Sequence, residues 1–213
     1  MDLFKHTLYI NLDERIDRKN HVEKELQYMN ITGERFSAIK NPVGAIGCAL
    51  SHIKCLQIAK KNNYSQVFIC EDDIQFLQPE LLKYHVEKFN KTKDLDDWDV
   101  LIIGGNVCPP YKTKYAYCVQ IENAQTTTGY IVKSHYYDTL INNYKEGLKL
   151  LLHNPKITHL YALDIYWKQL QKTGKWYIIT PLTVTQYSNY SNIEKRETNY
   201  THLMLDLEKK WLF

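Results

Sequence analysis

The chain has no apolar run that approaches a membrane span, so no transmembrane helix is expected. Its first residues, Met1-Asp2-Leu3-Phe4-Lys5-His6, do not read as a signal peptide. There is no C-x-x-C pair among the five cysteines, Cys48, Cys55, Cys70, Cys108 and Cys118. Their odd number and their positions inside apolar stretches predict reduced core thiols rather than a disulfide framework. A cytoplasmic location is the expectation from these features together. No Lys/Arg block stands out either: 27 basic and 24 acidic residues leave a net charge of +3, which excludes a strong electrostatic footprint for nucleic acid. Internal repeats and long linkers are also missing. At 213 residues the chain can bury one sizeable core, so a single domain over residues 1–213 is expected, with 185–213 as a candidate C-terminal appendage.

What is present is concentrated in one stretch. Val67-Phe68-Ile69-Cys70 is a short, continuous apolar run of the kind found in a central strand covered on both faces. It runs directly into Glu71-Asp72-Asp73, placing three carboxylates at the carboxyl end of a strand, where open α/β sheets have their ligand crevice. Alternation along an extended chain would send Glu71 and Asp73 to one side and Asp72 to the other. Two hard oxygen ligands on one side suit Mn²⁺ or Mg²⁺ shared with a phosphate. Acids at a strand end are equally what a solvated turn carries. Seventeen tyrosines suit a sugar-handling cleft, but Asn, Lys and Ile are abundant too, and a general compositional bias explains them as well.

The rest of the chain reads as alternating strands and helices. Thr7 to Leu12 is a strand, followed by a helix from about Arg15 to Met29 with Ile16, Val22, Leu26 and Met29 at helical spacing. Arg15 and Arg18 share its first turn, as anion-binding groups or as a solvated face paired with Asp13 or Glu14. Arg35 to Ile39 is a second strand. Gly44 and Gly47 enter a helix ending near Asn62; they lack the Gly-Lys-Ser ending of a phosphate loop, and glycine at such positions predicts a very close packing contact. Ser51 and His52 lie on that helix, where a lone His is commonly a satisfied core residue. Pro79 opens a helix to about Lys91. Val100 to Ile103 is another buried strand, Tyr115 to Ile121 and Thr126 to Val132 are two more, and Gly129 marks a close backbone approach. Ser134 is expected to cap a helix to about Leu152, Ala162 to Lys172 to form a helix with Asp164 in its first turn, Trp176 to Ile179 a last strand, and Thr201 to Trp211 a terminal helix.

Several of these stretches resemble glycosyltransferase family 25, which includes lipooligosaccharide and procollagen galactosyltransferases. Tyr9-Ile10-Asn11-Leu12-Asp13 with Arg15 and Arg18 resembles that family's opening strand and helix. Gly44-Ala45-Ile46-Gly47-Cys48-Ala49-Leu50-Ser51-His52 is similar to its Gly-x-x-Gly-Cys-x-x-Ser-His segment, the most specific match. Phe68 to Asp73 resembles its strand ending in Glu-Asp-Asp, and Thr127 to Val132 its Thr-x-Gly/Ala-Tyr strand. Asp164 stands where the family has an Asp beginning a helix, and Gln186 with Ser188 to Ile193 resembles its closing Gln…Ser-Asp-Ile, with Asn192 in place of the acid.

The resemblance covers roughly residues 7 to 193. It implies an α/β, GT-A-type, Rossmann-like nucleotide-sugar-binding domain with a mixed central sheet flanked by helices. It also implies transfer of a hexose, galactose or glucose, from a UDP-sugar to a hydroxyl on a glycan or a collagen-like protein, assisted by Mn²⁺ or Mg²⁺ and proceeding with inversion. On that reading Glu71 and Asp73 hold the metal. Asn11, Arg15, Arg18, Ser51, His52 and Asp72 belong to the donor site. Asp164 takes the proton from the acceptor hydroxyl. Two other readings stay open: a non-catalytic glycan-binding or scaffolding relative, and a metal-dependent nucleotidyltransferase. A nuclease would want an acid-x-Lys on the next strand, which Val100 to Gly105 does not supply.

Overall fold

The structure, a computed structural model, describes residues 2–191 and 193–209. Among these, eight strands form one mixed sheet in the order β2-β1-β3-β8-β5-β9-β7-β6. They are β1 (Thr7–Asn11), β2 (Gly33–Ser37), β3 (Gln66–Glu71), β5 (Val100–Val107), β6 (Tyr111–Tyr115), β7 (Cys118–Ile121), β8 (Ala124–Lys133) and β9 (Trp176–Ile179). β1 runs parallel to β2 and to β3, and β5 parallel to β9, whereas β8 lies antiparallel between β3 and β5. Two small antiparallel pairs complete the strands: β4 (Ile74–Phe76) with β10 (Val184–Gln186), and β11 (Asn189–Ser191) with β12 (Arg196–Thr198).

Strict side-chain alternation divides the core in two. Val67 and Ile69 of β3, with Leu8, Ile10, Val100, Ile102, Tyr130 and Val132, face helices α2 (Gly44–Lys61) and α4 (Tyr137–His153). Phe68 and Cys70, with Tyr9, Leu101, Ile103 and Ile131, face α1 (Ile16–Tyr28) and α3 (Pro79–Lys91). Residues 67–70 are completely buried, as strands covered on both faces must be. This is the GT-A-type arrangement: a mixed sheet with helices on both sides.

Three expectations about elements need correction. The stretch 162–172 is not one helix. It forms α6 (Leu163–Tyr166) and α7 (Lys168–Gln171), divided at Trp167 and preceded by a separate turn of helix, α5 (Thr158–Tyr161); Leu163, Trp167 and Gln171, four residues apart, still bury one common face. Residues 115–121 are not one strand but the turn and second arm of the β6–β7 hairpin. Ser134 makes no side-chain cap; it begins a short 3₁₀ turn, and α4 starts at Tyr137. After β9, β10 pairs with β4, and α8 (Thr201–Met204) packs against β5 and β10. Trp211 and Asn192 lie outside the described residues.

Candidate active site

The carboxyl ends of β1, β3 and β5, the amino end of α2, α6 and the β11–β12 hairpin enclose a cleft of about 580 Å³. Arg15, Arg18, Ser51, His52, Glu71, Asp72, Asp73 and Asp164 all line it, although they come from four separate parts of the chain. Asn11 stands immediately behind, in contact with Asp72.

The three acids do not divide as simple alternation predicts. Glu71 keeps the parity of Val67 and Ile69 and points toward α2, where its Oε1 accepts from Thr127 Oγ1 (2.6 Å) and lies 3.2 Å from His52 Nε2. The strand ends there. Asp72 turns to the α1 side, accepting from Asn11 Nδ2 at 2.8 Å and from Arg18 at 3.0 Å. The turn at Asp72-Asp73 then brings Asp73 to the same guanidinium, at 3.1 Å, still near enough to Glu71 to be raised by its charge. Gln186 Nε2 approaches both oxygens of Asp73 at 3.4 and 3.5 Å.

The electrostatics follow from this partition. Burial, aided by the charge of Glu71, pushes Asp73 up to about 7, Arg18 opposing. Burial also raises Asp72. For Glu71, burial works upward, but the His52 and Thr127 contacts outweigh it and hold the carboxyl below its ordinary range. Asp164 opens α6, and its Oδ2 accepts from the Thr126 backbone N–H at 2.9 Å; burial first, and then the charge of Glu71, raise it. Thr126 has φ 75°, a left-handed conformation that is costly for a β-branched residue. It occupies the irregular part of the β5–β8 ladder, between Gln125 and Gly129, where the break in register turns residues 126 and 127 into the cleft.

Other expected ligands have structural duties. Ser51 Oγ donates to Gly47 O at 2.8 Å and accepts from Ile39 N at 2.9 Å, fastening α2 to the loop after β2. Asn11 donates to Arg15 O and accepts from Arg35 while orienting Asp72. Arg15 does not reach into the cleft as an open guanidinium. It grips Asp17 and also donates to Tyr190 O and Asn189 Oδ1, and so ties α1 to the β11–β12 hairpin. His52 is both a completely buried core residue and a cleft residue: its Nδ1 meets Tyr130 Oη at 2.8 Å while Nε2 faces Glu71. Sequence reasoning passed over Asn106, at the end of β5. It is nearly buried on the cleft wall, and its Oδ1 has no partner. A polar residue ending a fully buried strand was the available signal.

The profile of glycosyltransferase family 25 (LPS biosynthesis protein) matches residues 42–153, more than half of the chain. The chain belongs to glycosyltransferase family 25. A "Glycosyltransferase 25 family member" of Anopheles gambiae is 24% identical over 76% of this chain and 31% of its own length. A "Putative glycosyltransferase" of Haemophilus influenzae is 32% identical over 33% of this chain and 33% of its own. The chain thus spans about a third of the length of these curated relatives. In fold it is similar to a glycosyltransferase involved in the glycosylation of the major capsid of PBCV-1, with a TM-score of 0.53, 11% identity, and coverage of 83% of this chain and 82% of that one. In this family 25 chain the profile match includes the α2 segment, the Glu-Asp-Asp strand end and β8, while Arg15, Arg18, Asp164 and Gln186 lie outside it and join the cleft through the fold.

Proposed function

We propose that the chain transfers a hexose from a UDP-sugar to a hydroxyl of a glycan or collagen-like acceptor, with inversion and with a divalent cation, Mn²⁺ or Mg²⁺. The observation that carries this reading is the charge imbalance of the cleft: Glu71, Asp72, Asp73 and Asp164 converge there, and Arg18 alone among the described residues forms ion pairs with the paired aspartates. Burial raises Asp72 and Asp73 above their ordinary range, and a further cation would offset that cost. The donor chemistry suits a hard one. The hydrogen bonds from Cys48, His52 and Thr127 all fall on Glu71 Oε1, and Asp73, paired with Arg18 through Oδ2, has only a long contact from Gln186 on Oδ1. Glu71 and Asp73 would hold the ion, which when bound offsets negative charge on the departing diphosphate.

The protein's own groups have the remaining tasks. Arg18, set by Asp72 and Asp73, contributes fixed positive charge beside the diphosphate. Asn11 holds Asp72 in place. Asp164, raised by burial and oriented by the Thr126 N–H, accepts the proton of the attacking hydroxyl. Arg15 and Arg18 hold the β11–β12 hairpin along the cleft edge through Tyr190 O. Release of UDP with Mn²⁺ across UDP-glucose, UDP-galactose and UDP-N-acetylglucosamine tests the reading. Turnover is expected with at least one donor and is expected to be lost in Asp73→Ala; no release with any donor, or undiminished release from the variant, would overturn it.

A further inference from the structure

Cys48 and His52 are four residues apart on α2, so their side chains stack on one face of the helix, the face that borders the cleft. Glu71 meets them from the end of β3. One ligand atom from each, a thiol sulfur, an imidazole nitrogen and a carboxylate oxygen, all lie within 4.8 Å of one another. His52 Nε2 is 3.2 Å and Cys48 Sγ 3.8 Å from Glu71 Oε1. A tetrahedral ion with bonds of about 2.0 Å to N and O and about 2.3 Å to S would space N from O by about 3.3 Å and S from O by about 3.5 Å. The side chains already stand near those edges.

We propose that Cys48, His52 and Glu71 form a three-ligand site for Zn²⁺, with the fourth position open to the cleft. Sulfur and imidazole select zinc over magnesium or manganese, which separates this site in chemistry from an all-oxygen one. The groups behind it fit. With Nε2 on the ion, His52 must carry its proton on Nδ1 and donate to Tyr130 Oη; the Tyr130 proton then turns toward the neighbouring buried Tyr144 hydroxyl. The ion displaces the Cys48 thiol proton, which leaves through the cleft. Because the site draws on Glu71, Zn²⁺ inhibits donor turnover. That consequence, unlike the binding, rests on the glycosyl-transfer reading.

Titration of Co²⁺ into the reduced full chain tests the site without any assay of activity. One equivalent is expected to produce a sulfur-to-cobalt charge-transfer band that Zn²⁺ abolishes and excess Mn²⁺ does not. Cys48→Ala and His52→Gln, checked for folding by thermal melting, lose the band or weaken it, and Tyr130→Phe lowers Zn²⁺ affinity by about 10–100-fold. In the wild-type chain Zn²⁺ shields Cys48 from iodoacetamide, a measurement that needs no variant. Absence of the band, its persistence in Cys48→Ala, or alkylation of Cys48 unchanged by Zn²⁺ would overturn the proposal. Failure of UDP release with every donor would count against glycosyl transfer instead, and would leave the cobalt spectrum to decide the metal site.

Discussion

Asp73 sits between Arg18 and Gln186 with burial and the charge of Glu71 lifting its carboxyl to about 7. Its unfolded value is about 3.9. The folded chain therefore binds a proton that the unfolded chain lacks between those values. This contribution to stability is complete below about pH 4 and is lost as pH rises through about 7. Asp73→Asn removes the cost: at pH 8 the variant should melt higher than wild type, by roughly 2–4 °C for each kcal/mol relieved, with the gain shrinking as pH falls toward 5. Calorimetry across that range checks the sign; a lower melting point at pH 8 would show the carboxylate to be stabilising. Asp164 belongs to the same scale. Asp164→Asn should retain UDP binding and lose about 10²–10⁴-fold in kcat, and the acidic limb of the wild-type profile should lie above the ordinary aspartate range. The acids were legible in sequence because they follow an uninterrupted buried run. Their grouping was not: alternation holds only to Glu71, and the turn after it gives Asp72 and Asp73 one shared guanidinium.

At the scale of elements, α2 shows why its glycines matter. A Cβ on Gly47 would lie 2.4 Å from Ile39 O, and one on Gly44 would lie 2.8 Å from the Ile193 side chain. The close contact expected of these glycines is thus backbone at the first and the hairpin region at the second. Gly47→Ala should destabilise by about 1–3 kcal/mol, since the carbonyl is held in the loop that Ser51 fastens. Urea denaturation measures this, and an unchanged midpoint would mean that α2 can shift freely. Helices with long apolar periodicity and strands with buried runs could be read in advance. The broken helix at 158–171 and the irregular β8 could not, because both are set by what they pack against: Trp167 Nε1 donates to Ala124 O, and the Thr126 N–H donates to Asp164. Local pattern carries neither contact.

For the whole molecule, the sheet divides its two apolar faces between α2 and α4 on one side and α1 and α3 on the other. The ends of β1, β3 and β5 then bring Asn11, Glu71 and Asn106 to one edge. No helix among the described residues is long and apolar enough to cross a membrane. Residues 184–191 and 193–204 form part of the cleft wall: Gln186 reaches Asp73, and Tyr190 O accepts from both Arg15 and Arg18. Charge composition, nearly balanced over the chain, concealed how far this excess of acid goes, since Asp164 joins Glu71, Asp72 and Asp73 only when the fold gathers segments about ninety residues apart. The most direct test of that gathered charge is calorimetric titration of UDP into the full chain, with Mn²⁺ and with EDTA. UDP should bind in Mn²⁺, should fall at least tenfold in affinity in EDTA, and should lose its Mn²⁺ dependence in Asp73→Ala. Equal UDP affinity with and without the cation in the wild-type chain would contradict a diphosphate held through an ion on these acids.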